Sequence, residues 1–206
     1  NQLIMRSGGL EVERAWRILL AENPVFETLR VRQGQVSQDN VLAHTGGFFS
    51  PGWGAGIDIM PTSREHYQRL METRPTSVQM VADRLGISRE AMTPELLRAF
   101  IILHELGHAG DYLSMGKEAA KSWSARSNEE KAALPVPNQN PATLLNAIKA
   151  GELSGMLQTI SDPGTRRVAE KAAQGDQPSI ELLVSLQEKA YKATASERIA
   201  DDFATD

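Results

Sequence analysis

Cysteine does not occur in this 206-residue chain. Its absence rules out disulfide bridges, cysteine-ligated zinc and a thiol nucleophile, so any metal must be held by histidine and carboxylate groups. Histidine is itself scarce, at four residues. A basic excess is also missing: 22 lysines and arginines stand against 26 acidic residues, and the net charge of -4 lacks the electropositive footprint that nucleic-acid binding requires. Nucleic acid is therefore not an expected partner. The longest apolar run, AFIIL at 99–103, ends at His104 and falls far short of the roughly 20 residues needed to cross a bilayer, so no membrane span is expected. The first ten residues, NQLIMRSGGL, lack the charged start and sustained apolar core of a secretion signal, and a cytoplasmic location is the default expectation.

What is present is the composition of an ordinary globular protein, 41% hydrophobic and 23% charged, at a length that can bury a real core. Val12, Trp16, Leu19 and Leu20 recur at helical spacing before Pro24, which predicts a first amphipathic helix over 10–22. From Val25 to Met60 the character changes. The short β-prone runs VFETLRV, VLAHT and GIDIM are separated by glycine, asparagine and proline, which predicts a small antiparallel sheet. Thr62 with Glu65 forms a capping box for a helix to about Met71, and Pro75 opens another that Gly86 ends. Thr93-Pro94-Glu95 is a strong helix start, and the apolar residues from Leu96 to Leu103 carry that helix, buried on nearly every side, into the histidines. Beyond Gly116 the sequence reads as helical pieces punctuated by LPVPNQNP at 134–141 and by Gly175. Pro178 then opens a last helix that reaches the ADDFA segment. The expected class is α+β, a mainly helical single domain over 1–206 with residues 114–190 as a helical insertion.

The motif that carries chemistry is His104-Glu105-Leu106-Gly107-His108. Four residues of helix turn the chain by about 400° and advance it by about 6 Å, so both imidazoles can converge on one ion. Glu105 lies on the adjacent flank, where it can reach a water on the metal without ligating the metal itself. A catalytic zinc takes three protein ligands and leaves a fourth position open, so a third ligand is required. Asp111 lies a further turn along the same helix and suits capping or outer-shell work, while Glu118, Glu129 and Glu130 carry no supporting pattern. In ASERIADDFA, Glu197 and Asp201 share one helical face, with Ala200 as a small residue that permits close packing. A carboxylate from such a second helix would complete a His, His, Glu set, and Asp201 could hydrogen-bond a ligand imidazole.

HELGH followed by ERIADDFA resembles the gluzincin metallopeptidases, in particular the ImmA/IrrE-like group and its minigluzincin relatives, and GGFFSPGWGAGIDIMP resembles the sheet that precedes their metal helix. The likeness covers residues 41–113 and 194–204. It implies a zincin-like domain, a zinc ion held by His104, His108 and Glu197, Asp201 as the outer partner, Glu105 as general base, and a peptide or protein substrate lying along an edge strand. The interval between His108 and Glu197 is longer than in the compact relatives, which leaves substrate choice open and room for a different glutamate as ligand; Asp111 and then Glu118 are the replacements for the third ligand. The expected function is zinc-dependent endopeptidase action, with Glu105 taking the proton of a metal-activated water. The alternatives are a catalytically silent metal-binding regulatory or protein-interaction module and, less favoured, a structural zinc domain. His44, His66, Tyr67, Tyr112 and Tyr191 are read as surface, hydrogen-bonded or packing residues, any one of which could assist an oxyanion.

Overall fold

The computed structural model describes residues 21–26, 29–33, 47–50, 56–59 and 64–205. The chain divides into two compact units, one built from residues 1–123 with 196–206 and the other from 124–195. Residues 10–20 of the expected first helix and the VLAHT run with His44 lie outside the described residues.

In the first unit, strands β1 (Arg30–Gln33), β2 (Gly47–Ser50) and β3 (Gly56–Ile59) lie in the order β1-β3-β2. The expectation of an α+β domain with a small antiparallel sheet is corrected here. The described residues are predominantly helical, and the strand pairing is mixed. β2 runs antiparallel to β3, with Phe49 opposite Ile57, but β1 runs parallel to β3, with Val31 opposite Ile57. Turn signals encode the hairpin between neighbours in sequence. A parallel pairing needs a crossover, which no local signal specifies. The VFETLRV run divides as well: Pro24–Phe26 is a 3₁₀ turn, and the strand starts only at Arg30.

The helices follow in chain order as α1 (Arg64–Thr73), α2 (Pro75–Arg84), α3 (Pro94–Ser114) and α4 (Ala119–Ala132). After them come α5 (Pro141–Lys149), α6 (Leu153–Met156), α7 (Pro163–Ala173), α8 (Gln177–Lys192) and α9 (Ala195–Thr205). None among the described residues is long and apolar enough to cross a membrane. α2 begins with Pro75 and is stopped by Gly86, whose φ of 64° is the left-handed conformation that glycine adopts without penalty. At α3 the Thr93 hydroxyl accepts from the Leu96 amide at 3.1 Å, and Pro94 and Glu95 fill the first turn. α3 buries Leu97, Phe100, Leu103 and Leu106 and packs on α1, β2 and β3. The single last helix expected from Pro178 onward is two helices. The chain breaks after Lys192, where the Thr194 hydroxyl donates to the Tyr191 carbonyl at 2.8 Å, a local bond that competes with helix continuation.

α9 crosses α3 at very short range. A β-carbon on Gly107 would lie 2.7 Å from Ala200 Cα and 2.9 Å from the Ala200 carbonyl oxygen. Phe203 of α9 packs edge-to-face on Phe26, with centroids 5.9 Å apart, and Phe26 in turn covers Gly110. Ala200 was expected to permit close contact, and Gly107 is its counterpart. Gly107→Ala should therefore force the two backbones apart and destabilise the fold by about 1–3 kcal/mol, the usual penalty of overpacking. Urea denaturation checks this as a lowered midpoint at unchanged slope.

The second unit has its own core of Val136, Leu144, Leu153, Ile160, Ala169 and Leu183. Gln187, fully buried on α8, accepts from the Val136 amide at 2.9 Å and donates to the carbonyls of Val136 at 3.0 Å and Gln139 at 2.5 Å, which ties the proline-rich loop to the helix. Asn140, Asp162 and Asp176 cap α5, α7 and α8. The Thr165 amide holds the exposed Asp162 carboxyl below the ordinary aspartate range, and the Ser179 hydroxyl and amide do the same for Asp176. A carboxylate whose folded pKa is depressed contributes stability that is present above its unfolded pKa and is lost as pH falls through the folded value. Stability should therefore decline as pH falls below the ordinary aspartate range. An Asp162→Ala, Asp176→Ala double variant should show a flatter pH dependence there, read from thermal melts across that range.

Candidate metal centre

Burial on α3 puts His104 at 7% exposure, and its neighbour one turn on, His108, is half-buried. The rings meet edge-to-face with centroids 4.5 Å apart. Phe100, one turn earlier, stacks on His104 at 6.2 Å. The Gly107–Ala200 crossing brings the first turns of α9 onto the same face, where Glu197 and Asp201 are each 3% exposed. Glu197 Oε2 lies 3.3 Å from His104 Nε2, and Oε1 lies 3.2 Å from His108 Nε2. Asp201 Oδ1 lies 2.6 Å from His104 Nδ1.

These contacts assign the protons. A carboxylate accepts, so His104 Nδ1 is the donor to Asp201, and in neutral imidazole Nε2 then carries the lone pair. That lone pair faces a Glu197 oxygen. Two acceptors at such a separation repel unless a proton or a cation lies between them. Among the described residues His108 has no comparable orienting partner: its Nδ1 is buried and finds no hydrogen bond there, and Trp123 packs on the ring edge-to-face at 5.8 Å. Trp123 packs in turn on Tyr112.

The donor set fits zinc. The ligand atoms of His104, His108 and Glu197 all lie within 4.8 Å of one another. Zinc bonds of about 2.0–2.1 Å in tetrahedral coordination set neighbouring ligand atoms about 3.3 Å apart, a separation that each imidazole Nε2 reaches to one or the other Glu197 oxygen. The set is imidazole and carboxylate only, as the lack of cysteine requires. Among the described residues, Asp111, Glu118, Glu129 and Glu130 do not belong to this group: Asp111 is half-buried a turn further along α3, and Glu118 is exposed on a 3₁₀ turn. Glu105 is half-buried on α3 beside His104. Tyr67 is a core residue at 1% exposure, Tyr112 packs on Trp123, and Tyr191 belongs to α8 of the second unit. The side chain of His66 lies outside the described residues.

Sequence reasoning missed two neighbours of this cluster. Trp123 is one. The other is Arg84, the last residue of α2, whose Nε lies 3.4 Å from Asp201 Oδ2 while its Nη1 donates to Asp202 Oδ1 at 2.6 Å. The end of α2 could be read from Gly86, but nothing local to Arg84 points to partners on α9. For Trp123 the sequence offered only its isolation in an aromatic-poor stretch.

Comparison with protein-family models yields no match for this chain, and no curated protein and no solved structure matches it.

The Trp123–His108 contact supplies a reporter. Adding zinc to metal-free protein should change the Trp123 emission, and Trp123→Phe should remove the change while leaving the bound stoichiometry intact. Zinc uptake with no Trp123 response in the native chain would place the ion away from His108.

Proposed function

We propose that this chain is a zinc-dependent peptidase of gluzincin type, acting on peptide or protein substrates, with His104, His108 and Glu197 as the metal ligands. One observation carries the reading: two imidazole nitrogens on α3 and a buried carboxylate on α9 converge within ligand distance, with Asp201 orienting one of the imidazoles. The described residues offer three protein ligands, the count that leaves a coordination position open for chemistry, whereas a structural site fills all four. When bound, zinc would supply a Lewis acid that polarises the scissile carbonyl and acidifies a water.

The remaining work belongs to the chain's own residues. Asp201 fixes the His104 tautomer and ring plane through Nδ1, which raises the basicity of the opposite nitrogen. Glu105, next to His104 in sequence, is the general base in this reading. It accepts a proton from the water that adds to the carbonyl carbon and passes that proton to the amine nitrogen as the carbon–nitrogen bond breaks. Water addition and amine departure then balance without any further proton donor. The low exposure of His104, Glu197 and Asp201, with Phe100 stacked on His104, strengthens electrostatic contacts in the cluster.

Purified protein should bind about one zinc, and His104→Ala, His108→Ala and Glu197→Ala should each abolish tight binding. Asp201→Ala should weaken it by about 10- to 100-fold, as removal of an outer partner typically does. Glu105→Gln should keep the zinc and lose peptide cleavage. Metal analysis by mass spectrometry together with turnover of a peptide library checks all of these. Full zinc occupancy with no cleavage by the native chain would favour the silent metal-binding module, and unchanged stoichiometry in both histidine variants would sink the site.

A further inference from the structure

We infer that Arg84 is a positioning residue for this cluster: it holds the Asp201 carboxylate so that its other oxygen stays aimed at His104 Nδ1. The inference rests on the metal reading above but can be tested apart from it. Asp201 is a buried carboxylate, with its side chain 5% exposed, and its two oxygens face different ways. Oδ1 lies 2.6 Å from His104 Nδ1, and Oδ2 lies 3.4 Å from Arg84 Nε. A carboxylate anchored at one oxygen can still swing about its χ2 bond. The ion pair at the second oxygen restrains that swing, and the ring it orients keeps His104 Nε2 turned toward Glu197.

Arginine suits this post because its planar fork can meet two acceptors from one fixed plane, which an ammonium group does less well. Here the fork spans successive residues of α9, reaching buried Asp201 with Nε and exposed Asp202 with Nη1. Asp202, with its side chain 63% exposed, serves as the outer peg. Arg84 is itself fixed at the end of α2, where Gly86 turns the chain with φ 64° and the Ile87 amide bonds the Ala82 carbonyl at 3.1 Å. The C-terminus of α2 is thereby linked to the orientation of one metal ligand on α3 through a carboxylate on α9.

Two effects of removing Arg84 oppose each other, and the proposal requires one to win. Loss of a nearby positive charge would tighten zinc binding, while loss of orientation would loosen it. The Arg84 side chain is 30% exposed, so its charge is partly screened by solvent, and orientation should dominate. Arg84→Met should therefore weaken zinc by about tenfold, the low end of the range for an outer partner of a ligand. Arg84→Lys should restore part of the loss. Asp202→Asn, which removes the peg without touching the buried carboxylate, should move affinity the same way by less.

The test measures zinc affinity by chelator competition and, in metal-free protein, the proton NMR signal of His104 Nδ1–H, which a merely structural ion pair would not control. The expected result is weaker zinc together with loss or broadening of that signal in Arg84→Met, and partial recovery of both in Arg84→Lys. Wild-type affinity with an unchanged His104 signal, or tighter zinc binding, overturns the proposal even if the melting temperature falls. If Arg84→Met does not fold, Arg84→Lys and Asp202→Asn carry the test, and native values of both readouts in the two variants overturn it. If the native protein binds no zinc, the metal reading fails, and the His104 signal alone decides the role of Arg84.

Discussion

Where Gly107 of α3 passes Ala200 of α9 there is no room for a β-carbon, and that clearance decides which side chains can meet. His104 and His108 lie on either side of Gly107 along α3, and Glu197 and Asp201 flank Ala200 on α9. With the backbones this close, short carboxylate side chains reach the imidazoles directly, at 2.6 to 3.3 Å. Larger residues at the crossing would widen the gap and leave the same four groups facing one another without contact. The glycine inside the motif thus sets the distance at which its histidines can act, at the cost of about 1 kcal/mol of helix propensity relative to alanine.

The crossing also creates an electrostatic demand. Two carboxylates and two imidazoles are drawn into a buried region beside Phe100, where an ionised group without a partner is costly. Asp201 meets the demand with His104 and Arg84. Glu197 faces two imidazole nitrogens, and in a neutral His104 the nearer one carries a lone pair once Asp201 has fixed the tautomer. A group of this kind contributes little to stability by itself, because burying charges costs as much as pairing them returns. In the proposed function a cation would complete this cluster, and the packing around it would supply the rigidity such a site needs.

What could be read from the sequence is what depends on local chemistry. The start of α3 followed from Thr93 and Pro94, the end of α2 from Gly86, and the caps of α5, α7 and α8 lie at the Asn-Pro, Asp-Pro and Asp-Gln-Pro steps. The pairing of His104 with His108 follows from helix periodicity alone, and Glu197 and Asp201 shared a face for the same reason. Legibility ended where distant segments choose partners. The parallel pairing of β1 with β3 is a crossover, and Arg84 finds Asp201 and Asp202 more than a hundred residues away. Neither has a spacing rule. The break between α8 and α9 was missed for a different reason: it is made by a threonine turn, without the glycine or proline that usually marks a helix end.

The long interval between His108 and Glu197 bears on how the cluster assembles. A flexible loop must surrender entropy to bring its ends together, although each doubling of its length adds only about 0.6 kcal/mol. The interval here is not such a loop. Most of it, 124–195, is a compact unit whose own core contains Leu144, Ile160 and Leu183, and Gln187 satisfies the backbone of the proline-rich loop within that unit. The ordering of those residues is offset by burial inside the unit, so it is not charged to the contact between α3 and α9. What remains for the crossing to overcome is the closure of a partly folded connection. One glycine, one alanine and the ring contact between Phe26 and Phe203 suit that smaller task, because they specify a register between two helices without having to gather a disordered chain.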